Sequence, residues 1–233
     1  MEKNHVAKTK LNAANCYFCK KSQKLFHRLT QTSESLIKDS DIITDDRKEL
    51  LNELSIFIKE KLKSGQEVKL IFICTHNSRR SHLAQIWAHT AAYYFEIANL
   101  TAYSGGTQKT AFNKSAVNAL IKSGFKINIE KEGKNPKYKV RYAKKAEPLI
   151  CYSKEYNNRE NPSEGFVAIM TCSDADEACP VIVGADYRTT ISYEDPKIFD
   201  GTDHEASAYE ERSLQIGRDM FYVFKNIAEQ RLS

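Results

Sequence analysis

Val68-Lys-Leu-Ile-Phe-Ile-Cys-Thr-His-Asn-Ser-Arg-Arg-Ser-His82 passes from an apolar run, through a polar turn, to the start of a helical pattern. Val68 and Leu70 through Ile73 are apolar, interrupted only by Lys69, as in a strand buried in the middle of a parallel sheet. After Ser81, the residues Leu83, Ile86, Trp87, Ala91 and Tyr94 recur at helical spacing. The polar turn therefore joins the carboxyl end of a central strand to a helix N-terminus. Successive N–H groups and the positive end of the helix dipole converge there, which makes a preformed anion site with Cys74 at its mouth.

Each residue type in Cys74–(five residues)–Arg80–Ser81 suits a task. Thiolate is the nucleophilic form of cysteine, and a nearby cation or helix N-terminus favours it. Arg80 offers a planar fork matching two oxygens of a tetrahedral oxyanion. Ser81 can donate to the sulfur, while Asn77 and Ser78 can hold the loop through side-chain-to-backbone bonds. The competing reading is a buried structural cysteine at a strand end.

Composition narrows the function classes. The chain has 233 residues, 41% of them hydrophobic, enough for one good-sized core with an appendage. No apolar run approaches the ~20 residues that span a bilayer, and no signal-peptide pattern opens the chain, so no membrane partner is expected. Six unevenly spaced cysteines do not suggest a secreted disulfide framework, and a cytoplasmic protein with working thiols fits better. Residues 1–30 carry seven Lys or Arg against Glu2 alone, a charge of +6 within a total of +5. The remainder sums to −1, so no nucleic-acid surface is expected on the main domain.

Two units are expected: an N-terminal extension over 1–66 and an α/β domain over 67–233. The extension begins as a basic tail holding Cys16-Tyr-Phe-Cys19. Half a metal site, a redox pair and a poorly ordered extension all remain open for it; no metal is assigned because a second ligand pair is lacking. One helix over 44–63 follows, with Asp45 and Asp46 in its first turn, a stripe of Leu50, Leu51, Leu54, Phe57, Ile58 and Leu62, and lysines at its end. Beyond the Cys74 loop, strands are expected at 100–104, 138–142, 149–152 and 166–171, and helices at 113–123 and 203–229. Cys151, inside one of these strands, reads as a packing residue. Alternating strands and helices imply a three-layer α/β/α fold around a central, mainly parallel sheet.

The 166–171 strand runs into Thr171-Cys-Ser-Asp-Ala-Asp-Glu-Ala-Cys179-Pro180. Cys172 thereby reaches the sheet edge that holds Cys74, where open α/β sheets place their ligands. Seven residues on a helix rise ~10 Å, whereas a disulfide tolerates only ~4.4–6.8 Å between Cα atoms. Thiols starting on one helix could join only if it unwound, and Pro180 makes its far end easy to break. A hinged redox pair and two independent buried cysteines both fit this spacing. Further on, Glu194 and Asp195 lie in a loop, and Pro196 holds Asp195 extended, which suits a proton donor or an ordinary turn.

Together the Cys74–Ser81 loop, the Cys172–Cys179 segment and Asp195-Pro196 resemble the thioredoxin-coupled arsenate reductases built on the low-molecular-weight protein tyrosine phosphatase fold. Tyr103-Ser-Gly-Gly106 is similar to that family's turn after its second strand. The likeness covers about 67–229 and implies an oxidoreductase without a cofactor. Arsenate, or a phosphate-like oxyanion, would be held by Thr75, His76, Asn77, Ser78, Arg79, Arg80 and Ser81. It would be attacked by Cys74, with Asp195 protonating the leaving oxygen. Cys172 and then Cys179 would relay the oxidation, and thioredoxin would regenerate the dithiol. His76 stands where family loops usually carry Gly, and Arg79 where a second Cys is frequent. Gln85 stands where some relatives have a Glu beside a potassium ion, so no ion is assigned. The alternative is a low-molecular-weight phosphatase using Cys74, Arg80 and Asp195 with Cys172 and Cys179 idle. Such enzymes carry paired tyrosines after Asp-Pro, where this chain has Lys197-Ile-Phe.

Overall fold

A computed structural model describes residues 24–179 and 181–229. Cys16, Cys19 and Pro180, and the readings attached to them, lie outside the described residues. Four parallel strands form the central sheet in the order β2-β1-β6-β7: β1 (Val68–Cys74), β2 (Leu100–Gly106), β6 (Phe166–Met170) and β7 (Ala185–Thr190). The side chains of β1 divide between the two faces with the period of a pleated strand. Leu70 and Phe72 enter the larger core with Val167 and Ile169, and Ile71 and Ile73 enter a smaller one with Phe166, Ala168 and Met170.

The larger core lies under α3 (Arg80–Tyr94), α4 (Lys114–Ser123) and α6 (Glu205–Glu229). The opposite face is closed by α5 (Ser173–Ala178) and by Tyr156, completing three α/β/α layers. Gly217 on α6 permits the closest helix approach, since a Cβ there would lie 3.0 Å from the Trp87 ring. Local signals mark the helix ends. Asn113 Oδ1 accepts from the N–H groups of Ser115 (2.8 Å) and Ala116 (3.2 Å), and Gly124 ends α4 in the left-handed region at φ 109°.

Three features depart from the sequence reading. The strand at 149–152 joins no parallel sheet. Instead β3 (Lys126–Lys131), β4 (Lys137–Arg141) and β5 (Leu149–Cys151) form a separate antiparallel sheet. There Cys151 is fully buried, its thiol pushed up to about 12 by that burial, with Lys154 opposing. The extension holds two helices ahead of the core rather than one: α1 (His27–Lys38) and α2 (Asp45–Lys63), both packed on α6. The buried face of α1 is Leu29, Ser33 and Leu36, a stripe interrupted by a serine and therefore faint in the sequence. On α2 the buried side is Leu51, Leu54, Ser55 and Ile58, while Leu50 is exposed.

Candidate active site

Strand order reverses at β1, which has β2 on one side and β6 on the other, and ligands of open α/β sheets bind outside such a point. Cys74 ends β1, and Cys172 follows the end of β6. Thr171 continues the pairing, its N–H donating to the Ile73 carbonyl at 2.7 Å. Cys172 Sγ consequently lies 3.6 Å from Thr75 Oγ1, one residue beyond the candidate nucleophile. Cys74 and Cys172 are both buried in the smaller core, and Cys179 packs against it. The thiols of Cys74, Cys172 and Cys179 are all free.

The loop between β1 and α3 is held from outside through its carbonyls. The carbonyl of Cys74 accepts from the Thr107 N–H (3.1 Å), that of Thr75 from Gln108 (2.8 Å), and that of Ser78 from Asn113 (2.9 Å). Ser153 Oγ (2.9 Å) and Thr110 Oγ1 (3.2 Å) donate to the carbonyl of His76. Ahead of the helix, the N–H groups of Thr75 through Arg79 donate to no backbone acceptor among the described residues. Outward carbonyls with unspent N–H groups, at the start of a 15-residue helix, are the arrangement of a candidate anion site. Gly106 permits this closeness, because a Cβ there would lie 2.7 Å from the Asn77 nitrogen and 2.8 Å from the Thr75 oxygen.

Left-handed backbone falls on Asn77 (φ 43°) rather than on His76, where the resemblance pointed to a glycine-like turn. Asparagine tolerates this region, and its buried side chain secures it. Asn77 Oδ1 accepts from the Lys154 N–H at 2.8 Å, and Nδ2 donates to Ser81 Oγ at 2.9 Å. That second bond occupies an acceptor site on Ser81, so the Ser81 proton is free to point at Cys74 Sγ, 3.1 Å away.

Arg80 is buried, and its fork is already engaged. Nη1 donates to the Tyr193 carbonyl (2.9 Å) and Nη2 to Asp195 Oδ2 (2.8 Å), while Nε is buried without a partner. Asp195 Oδ1 caps the one-turn helix Pro196–Phe199 through the Lys197 N–H. Arg80 and Asp195 are thus brought together, and a cleft of about 1030 Å³ opens beside them, bordered also by Ser173, Arg212 and Arg218. Glu194 also borders the cleft, where it pairs with Arg212 (3.1 Å).

The Arg79 guanidinium is engaged on the far side of the Asp195 loop. Nε donates to the Tyr209 hydroxyl (2.6 Å) and lies 3.8 Å from Asp195 Oδ1, and Nη2 donates to Asp200 Oδ2 (3.2 Å). Tyr209 and Asp200 went unread as site residues because they lie 130 and 121 positions away in sequence. Gln85 donates to the Ala102 carbonyl (3.2 Å), and among the described residues no cluster has the makings of a metal site.

Neither Cys172 nor Cys179 is helical, contrary to the picture of two thiols on one helix. Cys172 is extended (φ −154°, ψ 152°) and Cys179 lies just past the end of α5 (φ −133°, ψ 72°). The six-residue helix between them is tied to β7. Arg188 Nη2 donates to the Asp176 carbonyl (3.0 Å), to Asp176 Oδ1 (2.5 Å) and to the Cys179 carbonyl (3.1 Å).

Behind the loop, His82 is fully buried, stacked on Phe112 at 4.1 Å with Nδ1 3.2 Å from Ser104 Oγ. Burial, reinforced by Lys154, holds this imidazole well below its usual value. On the same helix, burial brings His89 down to about 4, opposed by its bond to the Ala102 carbonyl. In the unfolded chain each titrates near ~6.5. Between the folded and unfolded values the unfolded chain binds more protons, so stability is lost as pH falls through this window. Replacing His89 by Gln is expected to remove roughly 2 kcal/mol of the stability difference between pH 7 and pH 4.5 in urea unfolding. An unchanged difference would mean that the folded ring is protonated.

No family model and no curated protein matches the sequence. Solved structures do align with it. A low molecular weight phosphotyrosine phosphatase from Vibrio cholerae is 13% identical at a TM-score of 0.49, covering 70% of this chain and 98% of its own. A YwlE mutant from Bacillus subtilis is 17% identical at 0.45, covering 71% and 99%. A structure described as an arsenate reductase in oxidized state is 16% identical at 0.43, covering 68% and 98%. Likenesses this distant assign the chain to no family and no activity.

Proposed function

We propose that this protein is an arsenate reductase working through a three-cysteine relay, with thioredoxin as reductant in a cytoplasmic setting. The observation that carries this reading is the placement of Cys172 Sγ against Thr75, beside Cys74, with Cys179 at the far end of a short helix. Phosphoester hydrolysis by Cys74, Arg80 and Asp195 would leave both Cys172 and Cys179 idle.

The residues would act in sequence. Arsenate is bound by the N–H groups of the 75–81 loop and by Arg80, whose unpartnered Nε is ready to donate. Cys74 thiolate attacks arsenic, forming an S–As(V) bond, and a proton passes by way of Asp195 to the departing oxygen so that water leaves. Cys172 thiolate then attacks the Cys74 sulfur. The S–As bond breaks, its electron pair stays on arsenic, arsenite leaves, and a Cys74–Cys172 disulfide remains. Cys179 thiolate attacks the Cys172 sulfur and frees Cys74. A thioredoxin dithiol finally reduces the Cys172–Cys179 disulfide and is itself oxidised.

The first transfer needs little movement because Cys172 already borders the loop. The second needs α5 to open, breaking the Arg188 bonds to Asp176 and Cys179. Three of the six helical residues, Ser173, Asp174 and Asp176, are weak helix formers, and such short helices are marginal by themselves.

Arsenate-dependent NADPH oxidation with thioredoxin and its reductase tests the reading. Wild type is expected to turn over, and Cys74→Ser and Cys179→Ser are expected to fall to background. Full turnover by Cys179→Ser would defeat the relay. Hydrolysis of p-nitrophenyl phosphate with no arsenate reduction would establish the phosphatase alternative, using Cys74, Arg80 and Asp195 alone.

A further inference from the structure

We infer that Arg47, on helix α2 of the N-terminal extension, is a positioning residue that holds the Asp195 loop in register with Arg80. Its guanidinium joins three parts of the molecule at once. Nε and Nη2 both donate to Asp219 Oδ2 on α6, at 3.0 and 2.8 Å. Nη1 donates to the Ser192 carbonyl at 2.9 Å, and the guanidinium lies over the Tyr193 ring, 4.5 Å from its centroid.

The next links reach the candidate active site. The Tyr193 carbonyl accepts from Arg80 Nη1, and two residues later Asp195 accepts from Arg80 Nη2. One side chain from α2 therefore fixes both faces of the peptide segment whose carbonyl and carboxylate orient the oxyanion arginine. From the sheet side the segment is held by two backbone bonds, Ile191 N–H to Met170 (2.9 Å) and Tyr193 N–H to Thr171 (3.1 Å). The stretch 194–195 has no such support, and Arg47 acts at its root.

This contact differs from an ordinary surface ion pair. Asp219 is 2% exposed and Tyr193 4%, so the fork is shielded from water on its inner side. Planarity matters: a guanidinium can bond a carboxylate and a carbonyl while lying flat on an aromatic ring, and an ammonium cannot do all three. The arrangement also gives the extension a task that its apolar stripe alone does not explain.

The variant that tests this is Arg47→Lys, because Arg47→Ala would leave the buried Asp219 unpaired and endanger folding. Lysine keeps a charge for Asp219 and gives up the Ser192 bond and the flat stacking. Amide hydrogen exchange of the 191–196 segment in the full chain is expected to rise at least about tenfold, with α6 amides unchanged. This readout does not depend on any activity. The kinetic half rests on the role proposed above for Asp195. In arsenate-dependent turnover, kcat is expected to fall about tenfold with KM within about twofold. Combined with Asp195→Asn, the Arg47→Lys loss should largely vanish, since both act on the same group. Unchanged exchange at 191–196 would overturn the inference, as would losses that simply add. A wild type without arsenate turnover would remove the functional reading and leave the exchange result to decide the brace.

Discussion

Cys172→Ser is expected to abolish arsenate-dependent turnover, by on the order of 10³-fold or more, while the protein still folds and still binds oxyanions. The serine hydroxyl is close in size to the thiol, so the core around Ile73, Met170 and Ala175 has little to repack. It cannot attack the Cys74 sulfur and leave a disulfide. Cys74 should then stop after one attack, holding arsenic that neither leaves as arsenite nor gives a second turnover. Protection of Cys74 from iodoacetamide by phosphate measures the anion site separately and should match wild type. Undiminished reduction by Cys172→Ser would mean that Cys74 passes its oxidation elsewhere.

Arg80→Lys should produce the second large effect, a fall in kcat/KM on the order of 10²–10³. Arg80 has three commitments in a buried position: the Tyr193 carbonyl, the Asp195 carboxylate, and an Nε held without a partner. A lysine ammonium is a single point with three rotating donors. It can satisfy Asp195 or an oxyanion, and does not keep both planar contacts while donating to a third group. Phosphate protection of Cys74 should therefore weaken along with turnover, which distinguishes this variant from Cys172→Ser. Equal kcat/KM in Arg80→Lys and wild type would show that the loop amides alone carry the charge.

The strands and helices that were legible in the sequence are those whose burial is apolar, on both faces of a strand or along one stripe of a helix. β6 is a continuous hydrophobic run and β1 is broken only by Lys69, and α4 carries its own start and stop signals in Asn113 and Gly124. Those missed lack such a signal. β7 reads Ala-Asp-Tyr-Arg-Thr-Thr, with charged side chains at Asp186 and Arg188 because it is a sheet edge with duties toward α2 and α5. The three-residue β5 was expected as a strand, but its antiparallel pairing with β4 could not be read from its own sequence. For the candidate site, adjacency in the chain places Cys74 through Ser81 on the turn from β1 to α3 and the Cys172 segment just after β6. Contacts spanning the chain were not legible: Asn77 to Lys154, Arg79 to Tyr209, and Arg47 to Ser192 and Asp219. Each pairs an ordinary polar residue with another, and only the fold gives them a common address.

The proposal turns on whether the oxidation of one sulfur is handed to the next. Cys179→Ser protein, fully reduced and exposed to one equivalent of arsenate, can be quenched in acid, alkylated and digested. Mass spectrometry of the peptides should then find Cys74 joined to Cys172, with arsenite released in equal amount, and wild type should instead hold Cys172 joined to Cys179. Free, alkylated Cys74 and Cys172 after arsenate treatment, with no arsenite formed, would contradict the relay.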